Sequence, residues 1–269
     1  MMRLLPEQVE ALRLLQELCR TLGADVVIIG AVAYRLWVDD PNRQTEDIDL
    51  AVPLDLRDFQ ALTQALIERG WQQDRRREQR WHSPQGGRFD LIPAGQALRE
   101  QGEIEWPTSG FRMSLVGFGH VFTTAVEREI APGIAASVTP LPVLAVLKVA
   151  AFLDDPHSRE KDAQDLIALM TKYQIEGDRR FTSAVYDAGV EYDCAGAFLL
   201  GNDVARLCSS SESLLMERFL SLIDDETSPA GIVMARVLAG HLAGYGSEEG
   251  RGLLVAFATG FRQAGPSTR

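Results

Sequence analysis

The chain reads as an α+β N-terminal domain followed by a helical C-terminal domain, with the change at Pro140. Up to that proline, short apolar or alternating runs are punctuated by Gly and Pro, the pattern of strands mixed with a few helices. Beyond it, apolar residues recur at helical spacing almost to the end. The 269 residues suffice for two separate cores, and 46% hydrophobic with 24% charged residues is the composition of an ordinary folded protein. The expected division is residues 1–140 and 141–269, the first two helices after Pro140 completing a cleft.

The elements follow in order. Leu12, Leu15, Leu18, Cys19 and Leu22 mark a helix that Gly23 stops. Val26 to Ile29 is a short buried-strand signal ending at Gly30, and a small helix over about Ala31–Val38 follows directly. Asp39-Asp40-Pro41-Asn42 is a loop. Asp47 to Val52 alternates as a half-buried strand should. Asp55 to Arg69 carries Phe59, Leu62 and Leu66 on one face, and Gly70 terminates it. Trp71–Ser83 and Arg88–Ile92 are extended segments joined by the turn Pro84-Gln85-Gly86-Gly87, hence a hairpin. More strand is expected between Gly117 and Val138. Two helices follow Pro140, the second from about Arg159 to Tyr173 with Ser158 as its N-cap.

Charge and cysteine usage narrow the function classes. The net charge of -11, from 27 basic and 38 acidic residues, gives little general attraction to nucleic acid or to anionic membrane. A nucleic-acid substrate would need a local basic patch. Cys19, Cys194 and Cys208 match neither a zinc site nor a disulfide scaffold, which predicts reduced thiols in a cytoplasmic protein. Glu7, Glu10 and Glu17 interrupt the leucines where a secretory signal would be apolar, and Leu141–Leu153 is too short to span a bilayer, so no membrane association is expected.

The informative chemistry lies in Asp47-Ile48-Asp49. On a strand these two carboxylates share a face, about 7 Å apart, and repel unless a cation lies between them. Hard oxygen donors of this kind favour magnesium, or manganese. Asp90 stands between Phe89 and Leu91 on a second alternating strand. Were the two strands neighbours, three acidic groups would converge as two-metal phosphoryl or nucleotidyl transfer requires. Gly30, ending a strand and opening a helix, lets backbone N–H groups approach a phosphate. The bland alternatives are a plain turn and solvent-facing aspartates.

Together these residues resemble the nucleotidyltransferase superfamily that shares a DNA-polymerase-β-like palm. Gly30-Ala31 stands for its glycine turn, Asp47-Ile48-Asp49 for its D-x-D pair and Asp90 for its third acid. Arg43-Gln44-Thr45-Glu46-Asp47-Ile48-Asp49-Leu50 is similar to the R-x-T-x-D-I-D run of the AbiEii-like abortive-infection toxin branch. A second block supports the match, in Leu147-Lys148 to Phe152 and Arg159-Glu160-Lys161-Asp162 to Leu166. The resemblance implies a nucleotidyltransferase-like mixed sheet with flanking helices. It implies a nucleoside triphosphate substrate, with Asp47, Asp49 and Asp90 on the metal. Gly30, Ala31, Arg43, Thr45 and Lys148 would meet the nucleotide, and Lys161, Asp162 and Asp165 would line or brace the cleft. The acceptor hydroxyl could belong to tRNA, a protein or a small molecule, and a toxin role would bring a separately encoded antitoxin. Ala31 departs from the usual second Gly or Ser, which leaves a weakly active nucleotide-binding module as the alternative. Ala195 to Asp203 looks like a C-terminal element of some relatives.

Arg75, Arg76, Arg77, Arg80 and Arg88 form the basic cluster. They could meet RNA phosphates, but a charged edge strand that resists aggregation is the favoured reading. Trp71 and Trp81 beside them could stack on a base, with burial favoured.

Overall fold

The computed structural model describes residues 4–38, 45–241 and 247–265. The chain divides into two compact units, Met1–Pro140 and Leu141–Arg269. In the first, the order is α1 (Pro6–Thr21), β1 (Val27–Ile29), α2 (Gly30–Trp37), β2 (Asp47–Val52), α3 (Leu56–Glu68), β3 (Gln72–Gln73), β4 (Arg80–His82), β5 (Arg88–Pro93), α4 (Gln96–Gln101), β6 (Glu103–Glu105), β7 (Arg112–Ser114), α5 (Phe118–Thr124), β8 (Val126–Ala131) and β9 (Ile134–Val138). Among the described residues β3-β4-β5-β2-β1-β9-β8 form one seven-stranded sheet and β6-β7 a separate pair. The large sheet is mixed: β2 runs parallel to β5 and β1 to β9, while β1/β2, β4/β5, β3/β4 and β8/β9 are antiparallel.

Alternation decides the two faces of its centre. Ile48, Phe89 and Trp81 are register partners across β2, β5 and β4, and all three are fully buried. Leu50 and Leu91 form the next buried pair. Trp71 packs on Phe89 with ring centroids 5.2 Å apart, so both tryptophans belong to the core and neither stacks on a base. α2 is held at its far end, where Trp37 Nε1 donates to the Thr139 carbonyl at 2.8 Å. There Arg128 donates to the Leu36 carbonyl while lying 4.2 Å from the Trp37 ring.

Three local expectations are corrected. The segment after Gly117 opens with a helix rather than strand, because Gly117 turns the chain at φ +85° and Phe118 and Val121 bury at helical spacing; β8 and β9 come after it. Trp71–Ser83 is not one extended run. Asp74 accepts the N–H groups of Arg76 and Arg77 and folds the middle into a turn, so β3 and β4 are a small hairpin of their own. The helix after Asp154 starts at Glu160 with Arg159 at the cap position, because Asp155 has already taken the Ser158 N–H in a local turn. The loop Asp39–Asn42 lies outside the described residues.

The second unit contains α6 (Leu141–Asp154), α7 (Glu160–Lys172), the short α8 (Ser183–Asp187), α9 (Ala195–Leu207), α10 (Ser210–Asp224), α11 (Pro229–His241) and α12 (Ser247–Ala264). α9 and α12 pack backbone to backbone. A Cβ on Gly201 would lie 2.1 Å from the Phe257 carbonyl oxygen, and one on Gly260 would lie 2.0 Å from that of Phe198. Cys19 and Cys208 are buried thiols, which burial pushes up to about 12, far from the reactive thiolate range.

Candidate functional site

The polar face of the central sheet is built by register. β2 and β5 pair in parallel with Asp49 opposite Asp90 and Asp47 opposite Arg88. β4 and β5 pair antiparallel with Arg80 opposite Asp90 and His82 opposite Arg88. Side chains two apart on a strand share a face. One row across the sheet is therefore Arg80, Asp90, Asp49, and the next is His82, Arg88, Asp47. The three aspartates of the sequence reading do meet on one face of two adjacent strands.

Two arginines meet them there. Arg80 donates through Nε to Asp90 Oδ1 at 2.8 Å, and through one terminal nitrogen to Asp90 Oδ2 at 2.9 Å and Asp47 Oδ2 at 2.5 Å. Arg88 donates to the other oxygen of Asp47 and to exposed Glu46. The Arg80, Asp90 and Asp47 side chains keep only 12%, 12% and 22% of their exposure, so the pairs sit where screening is weak. The hydrogen bond to Asp90 outweighs burial and holds the Arg80 guanidinium still more firmly protonated than usual. Three carboxylates against two guanidiniums leave the cluster with one net negative charge. The reading of Arg80 and Arg88 as an edge-strand defence is thus corrected: both point into the acidic cluster. Arg75, Arg76 and Arg77 remain exposed on the β3–β4 turn.

Gly30 shapes the cluster from the next strand. β1 pairs with β2 so that Ile29 lies opposite Asp49, and Gly30 then turns the chain into α2 at φ +68°. A Cβ here would lie 2.0 Å from Asp49 Oδ2 and 2.8 Å from its Cγ, so the missing side chain is the space that the Asp49 carboxylate uses. Ala31 is buried with 6% exposure, which places the departure from the second glycine in the packing. Thr45 Oγ1 donates to the Asp47 carbonyl at 3.1 Å and fastens the entry to β2. Arg43 lies outside the described residues.

The donors fit a hard divalent ion in kind: carboxylate oxygens only, on one face, with a residual negative charge. Among the described residues no set of three or more acidic, His or Cys side chains stands in metal-holding geometry as the cluster is arranged. Arg80 accounts for this physically, since its fork already takes both oxygens of Asp90 and one of Asp47.

The second block of candidate residues lies in the helical unit. Lys148 on α6 reaches Asp162 Oδ1 at 2.6 Å and Asp165 Oδ2 at 2.8 Å on α7, with Arg159 3.7 Å from the other oxygen of Asp162. The three side chains are 17%, 10% and 11% exposed, so the anion that Lys148 needs is supplied from within. Lys161 on the same helix is exposed. Burial pulls the Lys148 ammonium down, but the two carboxylates outweigh it and hold it above the ordinary lysine range. A raised lysine stabilises the fold at every pH below its unfolded value, and the benefit fades only as pH climbs through the folded value. Lys148→Ala is therefore expected to cost about 3–5 kcal/mol at neutral pH by removing the ammonium that two buried carboxylates share. A urea titration measures the loss, and adding Asp165→Asn is expected to restore part of it. Further along, Asp203 takes two hydrogen bonds from Arg179, at 2.6 and 2.9 Å, and one from the Tyr173 hydroxyl at 2.6 Å. That part of the C-terminal element is a structural clamp.

A mixed sheet carries three aspartates on adjacent parallel strands, beside a glycine that opens a helix, and the family match shows the class to be nucleotidyltransferase. The family described as "Nucleotidyl transferase AbiEii toxin, Type IV TA system" matches residues 13–229, and the chain belongs to it. It is similar to three solved structures. The first is an antigenic nucleotidyltransferase-like protein from Paracoccidioides brasiliensis (16% identity, covering 84% of this chain and 93% of that one, TM-score 0.45). The second is the antibiotic-resistance factor ANT(2'')-Ia (14% identity, 55% and 74%, TM-score 0.35). The third is a CCA-adding enzyme in complex with ATP (13% identity, 90% and 55%, TM-score 0.35). These likenesses are too remote to carry residue roles. No curated protein matches the chain. No described helix is long and apolar enough to cross a membrane.

Proposed function

We propose that the enzyme moves a nucleoside monophosphate from a nucleoside triphosphate to a hydroxyl acceptor, with Asp47, Asp49 and Asp90 as the metal-holding carboxylates. The observation that carries this reading is the register that sets Asp49 beside Asp90, with Gly30 keeping room for the Asp49 carboxylate. The acceptor oxygen bonds to the α-phosphorus, the bond from that phosphorus to the bridging oxygen breaks, and pyrophosphate leaves. A carboxylate of the cluster takes the acceptor proton. A magnesium or manganese ion, when bound, lowers the pKa of the acceptor hydroxyl and offsets the charge of the pyrophosphate. Gly30 and Ala31 present the N-terminus of α2 to phosphate. Thr45 stands at the entry to β2, and Arg43 is assigned to the nucleotide by the family resemblance alone. Lys148, held by Asp162 and Asp165, and exposed Lys161 are the residues of the helical unit that the family resemblance assigns to the nucleotide.

The family supports a separately encoded antitoxin as partner. Acceptors consistent with the chemistry are a tRNA end, a protein side chain and a small hydroxyl compound. Against a net charge of -11, exposed Arg75, Arg76 and Arg77 are the local basic patch that an RNA acceptor would need. Incubating the protein with magnesium, each α-labelled nucleoside triphosphate, and total RNA or cell extract tests the reading. Label appearing in RNA, protein or a small product supports it and names nucleotide and acceptor together.

A second reading has one observation in its favour. Arg80 already pairs with two of the three aspartates, as a nucleotide-binding module with little turnover would tolerate. It predicts nucleotide binding with no label transfer to any acceptor.

A further inference from the structure

We propose that Arg80 is the resident cation of the carboxylate cluster, so that entry of a divalent ion and departure of the guanidinium are a single exchange. The inference rests on the metal-site reading of Asp47, Asp49 and Asp90 and adds what guards that site.

The geometry carries it in three ways. First, register places Arg80 directly opposite Asp90 on the face that carries the aspartates. Second, the guanidinium bonds both oxygens of Asp90 and one of Asp47 through Nε and one terminal nitrogen, and so competes for the carboxylate oxygens a metal would use. A metal and a planar guanidinium cannot share the same lone pairs. Third, the two arginines differ. Arg88 is 33% exposed and also holds Glu46, so it can stay beside Asp47 through one oxygen. Arg80 is 12% exposed, and its hydrogen bonds to acidic groups are to Asp90 and Asp47 alone among the described residues. The exchange therefore falls on Arg80.

The consequence is a site whose negative charge is partly offset, and whose metal affinity is set, by an internal competitor. Released from the aspartates, a guanidinium is also a bidentate partner for a phosphate group. The arginine that pairs with these aspartates is thereby suited to grip the triphosphate that arrives with the ion.

Binding of Mn2+ to the full chain, followed by electron paramagnetic resonance without nucleotide, tests the proposal. Arg80→Gln is expected to bind Mn2+ at least tenfold more tightly than the wild type, about 1.4 kcal/mol. Arg75→Gln removes the same charge from an exposed position of the same hairpin and is expected to change affinity by less than about twofold. Arg80→Lys keeps the charge but replaces the fork with a point contact; it is expected to fall between, and it decides the matter if Arg80→Gln does not fold. Equal or weaker Mn2+ binding in the Arg80 variants overturns the proposal while leaving the metal site standing. No binding to the wild type or any variant overturns both.

Discussion

Asp49→Asn is expected to lower nucleotidyl transfer by on the order of a thousandfold or more while shifting stability by less than about 1 kcal/mol. The separation of the two effects makes this variant informative. Asp49 lies in register with Asp90 on a parallel neighbour, an arrangement of like charges that is unfavourable for the sheet. Removing one of the two charges relieves that repulsion and forfeits part of the attraction that Arg80 feels from it. The carboxamide keeps the shape against Gly30. Asp90→Asn makes the contrast, because it takes an oxygen from the Arg80 fork and is expected to destabilise the sheet by about 1.5–3 kcal/mol as well as to stop transfer. Label transfer and a thermal melt on both variants distinguish a working carboxylate from a structural one. Full transfer by Asp49→Asn would remove the metal-site reading.

Gly30→Ala is expected to destabilise the chain by about 1–2 kcal/mol and to reduce transfer at least a hundredfold. Two separate effects add. A non-glycine residue at φ +68° is strained whatever surrounds it. The new methyl would also stand within van der Waals contact of Asp49 Oδ2, at 2.0 Å, and of its Cγ, at 2.8 Å. The cheapest relief is rotation of the Asp49 side chain, which spares the fold but moves the carboxylate out of the cluster. Activity is therefore expected to fall by much more than stability does. A double variant with Asp49→Asn checks the coupling: if the methyl acts through Asp49, adding it to a chain already lacking that carboxylate changes transfer little further.

Much of the site was legible one strand at a time. Asp47-Ile48-Asp49 and Phe89-Asp90-Leu91 each declare a buried face and an acidic face, because alternation is a local property of the strand. That the two strands pair, in parallel and with Asp49 opposite Asp90, is not local; they are separated by α3 and the β3–β4 hairpin. Arg80 was within reach of the sequence. Ser83 bonds to Gly87, so the turn proper is Pro84–Gly86, positions equidistant from Gln85 face each other, and Arg80 lies opposite Asp90 and His82 opposite Arg88. What concealed it was reading five arginines as one patch rather than separating turn from strand. Asp74 makes that separation by folding Arg75–Arg77 into an exposed turn.

The helical unit gives the same lesson with a different periodicity. Asp162 and Asp165, three apart, share a face in any helix, and a lysine on an apolar helix must find an anion. Which anion it finds was decided by the packing of α6 on α7, and Lys161, one residue away, is turned to solvent.

By itself the sequence determined the elements whose cause is local: the strands that carry the aspartates, the glycine that must turn at Gly30, and the change from alternating to helical spacing at Pro140. Tertiary structure alone decided that two guanidiniums lie among three carboxylates, and that Lys148 is spoken for by Asp162 and Asp165. Periodicity specifies which face a side chain takes. The balance of charge on that face depends on which strands and helices become neighbours, and that is settled by burying Ile48, Phe89 and Trp81 together on the other side.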